Sequence, residues 1–218
     1  MTPEDSSTAE STINAWMQQL ASPIPNPGGG AASAVMLGIS AGLASMVAGY
    51  GAADDGDTTA VGAVAAIGER ALTLQQAALG LADADAAASK GFSVAYRLPE
   101  GEQRERAIHE ASIHAAESAA DVGAVAAALL PDLLTLVQLG KPALVSDVGV
   151  AAATLATVLQ ASLINLGVDL ASAEATAGDP AAVPAQHPAL YTALAALQFE
   201  LDAAHQVAAD VQKFVAPK

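Results

Sequence analysis

The sequence predicts an all-α fold, a bundle of about six helices with several of them long, in a single domain over residues 1–218. Three observations predict it. The chain is 53% hydrophobic but only 3% aromatic, so its apolar content is mostly Ala, Val and Leu, which helices accept readily and which let helices pack closely. The apolar pattern stays helical along the chain, and no segment reads securely as a strand. The breaks between helical stretches are Pro/Gly clusters and polar caps. A length of 218 residues suits one domain with a proper core, and no period of 20–50 residues marks a solenoid.

The elements follow in order. Trp16, Met17 and Leu20 share a helical face, so residues 8–21 read as a short amphipathic helix. "SPIPNPGGG" ends it, because three prolines and three glycines cannot continue a helix. A buried helix is expected over residues 31–53, and "DDGDTT" then places acids at the positive end of the next helix, which should reach Tyr96. "RLPEGEQ" turns the chain into a helix to Leu139 in which Pro131 predicts a kink or a stop. "LGKPALVSD" reconnects, and Ser146 or Asp147 is expected to cap a helix running to Ala177. After the loop "AGDPAAVPAQHP", residues 189–215 form a last amphipathic helix.

Composition excludes several classes of function. With 23 acidic and 8 basic residues the formal charge is −15, which repels nucleic acid and the anionic face of a membrane. The chain has no cysteine, so disulfide frameworks and thiolate metal sites are excluded. Its first residues, "MTPEDSSTAE", are acidic and polar where a secretory signal is basic and then apolar. A cytoplasmic setting is expected. The run from Ser11 to Ala53 carries no charge and raises the question of a membrane span. Yet 18 of the 26 positions from 28 to 53 are Gly, Ala or Ser, and the flanks hold Asp5, Glu10, Asp54, Asp55 and Asp57 with no Lys or Arg. The run therefore reads as a central bundle helix rather than a membrane helix. Its Gly38 and Gly42 sit at a small-xxx-small spacing that permits close backbone approach in either setting.

Few residues carry recognisable chemistry. In "HEASIH", His109 and His114 are five apart, where helical zinc ligands need four. No metal site is expected. "PGGGAAS" is neither a Walker loop nor a dinucleotide fingerprint. It is a Gly-rich turn feeding a helix N-terminus, suited to a carboxylate or ring carbonyl or else to tight packing. Asn165 and Asp169 are four apart and share one face of an apolar helix, where polar groups need a neighbouring helix or a cavity to satisfy them. Asp83 and Asp85, with Lys90 and Arg97, form a fourth set, equally readable as a solvated helix end.

Taken together, "LASPIPNPGGGAASAVMLGISAGLASMVA", "AYRLPEGEQRERAIHEA", "SDVGVAA" and "ASLINLGVDL" resemble, in order and spacing, the cyclodeaminase/cyclohydrolase family. The resemblance covers residues 8–175. It implies an all-helical homodimer with a folate site between helices near the subunit interface, no cofactor beyond the tetrahydrofolate substrate, and neither nucleic acid nor membrane as partner. It implies pterin or one-carbon contacts at Pro27, Gly28, Gly29 and Gly30, and polar site groups at Asp85, Ser146, Asp147 and Asn165. Within that reading Asp147 is the acid/base group, Asp85 stabilises a cationic substrate, Asn165 orients water or substrate, and Lys90, Arg97 or Lys141 receive the glutamate tail. The expected activity is hydrolysis of 5,10-methenyltetrahydrofolate, chosen over cyclodeamination of formiminotetrahydrofolate because no transferase domain accompanies the sequence. The competing class is a helical dimer that only binds a ligand or partner. Four positions depart from the family pattern: Glu100 stands for Lys, Lys141 for Asn, Asp169 for the second Asn of N-x-x-x-N, and Gly123 for Pro.

Overall fold

The computed structural model describes residues 7–215. Residues 1–6, which carry most of the polar leader read above, and 216–218 lie outside the described part. Seven α-helices follow one another: α1 (Ile13–Leu20), α2 (Gly29–Gly49), α3 (Thr58–Ala95), α4 (Glu102–Leu139), α5 (Val145–Thr176), α6 (Val183–Gln186) and α7 (Pro188–Val215). No strand occurs among the described residues; one isolated bridge pairs Ala52 with Gly140.

Helices α2 and α5 are the centre of the bundle. On α2, Ala31, Ala34, Leu37, Ala41, Ala44 and Val47 are fully buried. Small side chains bring the backbones close enough for Ser40 Oγ to donate to the Ala151 carbonyl of α5 at 2.8 Å. α3 packs on α2, α4 on α5, and α7 closes the open side of α4 and α5. Gly123 admits Leu197 of α7: a Cβ there would lie 2.6 Å from a Leu197 methyl. The glycine found in place of the family's proline is thus a helix-packing residue. α1 buries one residue, Trp16, 8% exposed, and Leu20 packs partly buried against the same core. Thr8, just ahead of it, donates from N–H and Oγ1 to Asp83 at 2.8 and 2.6 Å.

Two local expectations are refined. Of the kink or stop expected at Pro131, the stop does not occur, and α4 continues to Leu139. Pro131 is exposed while Leu129, Leu130 and Leu133 are buried around it, so burial on both sides holds the helix through a residue that removes a hydrogen bond. Neither Ser146 nor Asp147 caps α5, because a 3₁₀ turn over Pro142–Leu144 leads straight into it and puts Asp147 in its first turn. There the carboxylate still opposes the helix's positive end.

Three helical stretches, Gly29–Gly49, Glu102–Leu139 and Pro142–Thr176, are long and apolar enough to cross a membrane by length and composition. In the bundle about half of each apolar window is buried against other helices. Sequence reading singled out only the first of the three.

Candidate functional site

The Pro/Gly turn is held at the mouth of the bundle by a carboxylate from another helix. Gly28 caps α2 without a side-chain hydrogen bond, leaving the first N–H groups of the helix to find partners elsewhere. Asp85 of α3 supplies one, accepting from the Ala31 N–H. It lies where a side chain on Gly30 would be, since a Cβ there would stand 2.0 Å from Asp85 Oδ1. Glycine at position 30 is therefore a requirement of space. Ser33 Oγ returns to the Gly30 carbonyl at 2.7 Å. The Asn26–Pro27 peptide is cis, and Asn26 Oδ1 is buried without a protein partner.

Asp169 meets this assembly from α5. Its carboxyl is pushed up to about 6, first by burial and then by the negative charge of Asp85. Burial also raises Asp85, against the lowering effect of the Ala31 N–H. Two carboxylates that repel each other in a partly desolvated place hold a proton more readily than either would alone. Asn165, half-buried, is one turn back on the same face of α5. Asp83, two residues from Asp85, points elsewhere and is taken by Thr8.

The structure brings some expected site residues together and separates others. Pro27, Gly28, Gly29, Gly30, Asp85 and Asn165 lie at one end of the bundle. Lys90 is exposed farther along α3, and Arg97 is exposed in the turn just past its end. Ser146 and Asp147 open α5 at the other end, about 27 Å from Asn165 at 1.5 Å per residue. Lys141 is there too, its Nζ 2.8 Å from Asp55. Ser146 lines a groove of about 430 Å³ with Gly149, His205 and Gln212. One protomer does not bring Asp147 to Asp85.

Asp169 is the residue that sequence reading left without a role. The four-residue spacing from Asn165 showed a shared face, and the departure from the family's second Asn marked the position. Neither signal showed Asp85 opposite. The histidines of "HEASIH" separate: His109 Nδ1 lies 2.9 Å from the Ala173 carbonyl, and His114 pairs with Glu117 at 3.3 Å. No group of three metal-ligating side chains occurs among the described residues.

Comparison with known proteins gives two findings. The family described as Formiminotransferase-cyclodeaminase matches residues 12–180, from α1 through α5. Among solved structures, the formiminotetrahydrofolate cyclodeaminase of Thermotoga maritima superposes with a TM-score of 0.77 at 23% identity, covering 95% of this chain and 98% of that one. That likeness is one of fold. No curated protein sequence matches the chain.

Proposed function

The chain belongs to the formiminotransferase-cyclodeaminase family, and from that premise we propose that it hydrolyses the cyclic amidinium of 5,10-methenyltetrahydrofolate to 10-formyltetrahydrofolate. The observation that carries the reading is the Asp85 carboxylate set against Gly30 and the Ala31 N–H at the Pro27–Gly30 turn, with the partly buried Asp169 of α5 within reach of its charge. A cation between two repelling, partly desolvated carboxylates relieves the repulsion, and the bridging carbon of the substrate is such a cation. The turn offers glycine backbone that a flat ring can approach closely. Asn165 supplies an amide to orient water or ring, and the substrate brings its own reacting carbon, so no cofactor is needed. Exposed Lys90 on α3 and Arg97 just past its end are candidates for the glutamate tail.

We also infer a homodimer. α5 exposes an uncharged stripe that includes Val150, Ile164 and Val168, and α2 adds Ile39 and Met46, with Tyr50 just past its end. Asp147 and Asn165 are 18 residues apart, five full turns, and so face the same side of α5. A two-fold axis crossing α5 midway would set the partner's Asp147 against Asn165, and would bring the partner's Ser146 and Lys141 towards the same end. In that arrangement Asp147 keeps the acid/base role implied by the resemblance.

Cyclodeamination of formiminotetrahydrofolate is the second reading, favoured by the activity named for the Thermotoga maritima protein. Purified protein should accelerate the loss of methenyltetrahydrofolate absorbance, with Asp85→Asn inactive. Ammonia release from formiminotetrahydrofolate instead would select the second reading, and inertness toward both would overturn the enzyme assignment. Sizing in detergent-free buffer tests the dimer, which partition into detergent would refute.

A further inference from the structure

We propose that a groove between α3 and α4 is a second ligand site, one that takes the head of a primary alkylammonium ion. The proposal goes beyond the folate reading and does not depend on it. The groove has a volume of about 420 Å³, within the range of small-molecule sites. α3 contributes Ala84, Ala87, Ala88 and Gly91, and α4 contributes His114, Glu117, Ser118 and Asp121. Both sets follow the i, i+3, i+4, i+7 spacing that puts residues on one helical face. Ala84, Ala88 and Gly91 are turned about 60–120° around α3 from Asp85, so the groove is not the mouth where Asp85 meets Gly30.

Two features of the α4 wall call for a partner from outside. Ser118 is 8% exposed, and its Oγ is buried without a hydrogen-bond partner. The helical hydroxyls of Thr73, Ser112, Thr135 and Thr154 each donate to the carbonyl four residues back. Ser118 forgoes that bond to the His114 carbonyl. A buried hydroxyl left this way costs free energy that a ligand's hydrogen bond recovers, and with nothing to hold it the hydroxyl is free to turn toward an N–H donor. Beside it Glu117 and Asp121 are four residues apart, like charges on successive turns that repel. His114 Nδ1 lies 3.3 Å from Glu117 Oε2, whereas Asp121 makes no hydrogen bond or ion pair among the described residues. No Lys or Arg lines the groove, and Lys90, next to Gly91, is exposed outside the lining.

The chemistry of the wall selects the ligand. An ammonium head carries three donors and no acceptor, and Glu117, Ser118 and Asp121 are acceptors along one face of α4. A cation between the two carboxylates also relieves their repulsion. The facing side, from α3, holds no side chain larger than alanine. At one end the helices nearly touch, since a Cβ on Gly91 would lie 3.3 Å from the Ala111 Cβ. A floor of methyl groups that narrows in this way suits a thin methylene chain. No group of three metal-ligating side chains occurs among the described residues, so the acids suit an ammonium head better than a bare metal ion.

The test is titration of the full chain with n-butylammonium chloride at neutral pH, where the amine is charged, followed by calorimetry and backbone amide NMR. Tetramethylammonium, a cation with no N–H donor, is the control. Butylammonium should saturate with shifts grouped on residues 84–91 and 114–121, and tetramethylammonium should bind at least about tenfold more weakly. Asp121→Asn and Ser118→Ala should each weaken butylammonium by about 3–10-fold. Without amine, Ser118→Ala should melt at or above the wild-type temperature, because it removes an unpartnered hydroxyl. Absence of saturable binding, shifts spread over the whole acidic surface, or equal binding of the two cations would overturn the proposal. So would variants that bind as tightly as wild type, or displacement of butylammonium by an equal concentration of magnesium. Each of these results leaves the folate reading untouched, since no step of the test uses a folate.

Discussion

Replacing Gly30 by alanine should destabilise the protein through one contact. The new Cβ would stand 2.0 Å from Asp85 Oδ1 and 2.4 Å from its Cγ, so the carboxylate must leave. Forcing a methyl into filled space costs about 1–3 kcal/mol. Losing the bond to the Ala31 N–H removes a helix cap worth about 1 kcal/mol. The sum is about 2–4 kcal/mol, which for a chain of this length lowers Tm by about 5–15 °C. Gly29→Ala is the control, since nothing lies within 4 Å of a Cβ there; it should be neutral or slightly stabilising because alanine favours the first helical turn. The assay is thermal and urea unfolding of wild type, Gly30→Ala, Asp85→Ala and the double variant at one protein concentration. With Asp85 truncated the alanine has room, so its cost should nearly vanish, giving a coupling of about 2 kcal/mol or more. An equal cost of Gly30→Ala in both backgrounds would refute the reasoning.

Other consequences follow from the same geometry. Because the folded Asp169 carboxyl titrates near 6, above its unfolded value, the native state binds more protons than the unfolded one between about pH 4 and 6. This group therefore subtracts stability as pH rises through that window, and Asp169→Asn should stabilise the fold at pH 8 while leaving it unchanged at pH 4, checked by urea unfolding at both. Carboxyl NMR of Asp85→Asn should show Asp169 titrating lower once the repelling charge is gone. Pro131→Ala restores an amide donor inside α4 and should stabilise by about 1–3 kcal/mol; a melting temperature equal to or below wild type would contradict it. For the proposed dimer, mixing inactive Asp85→Asn with inactive Asp147→Asn should restore about a quarter of wild-type activity if each site draws on both subunits, since half the dimers are mixed and each then has one intact site. No recovery after verified subunit exchange would place Asp147 outside the site.

Much of the fold was legible because Pro and Gly punctuate it: "SPIPNPGGG" and "RLPEGEQ" fall where helices end, whereas "AGDPAAVPAQHP", read as a loop, also holds the short α6. The stop that Pro131 allowed did not occur because a local rule about one missing hydrogen bond competes with burial of the leucines around it, and burial won. The start of α5 was misplaced because Pro142 nucleates a 3₁₀ turn before Ser146 is reached. At the site, spacing alone placed Asn165 and Asp169 on one face, and resemblance pointed to the turn, Asp85 and Asn165. The charge repulsion between Asp85 and Asp169 was hidden because it joins residues 84 positions apart and leaves no local pattern. Asp83 and Asp85 looked interchangeable in sequence, yet two residues on a helix turn the side chain through about 200°, and only one can face the turn.

The burial of Trp16 gives the protein a built-in optical reporter. It is the chain's single tryptophan, and no other residue of α1 is buried, so the indole senses whether α1 is docked and little else. Its emission should be blue-shifted while α1 is seated and move to the red when that helix lifts away, ahead of any loss of far-ultraviolet ellipticity from the long helices. Since six residues join the end of α1 to the Pro27–Gly30 turn, fluorescence at one wavelength pair follows the segment that leads into the turn in real time, without a label and without background from a second indole.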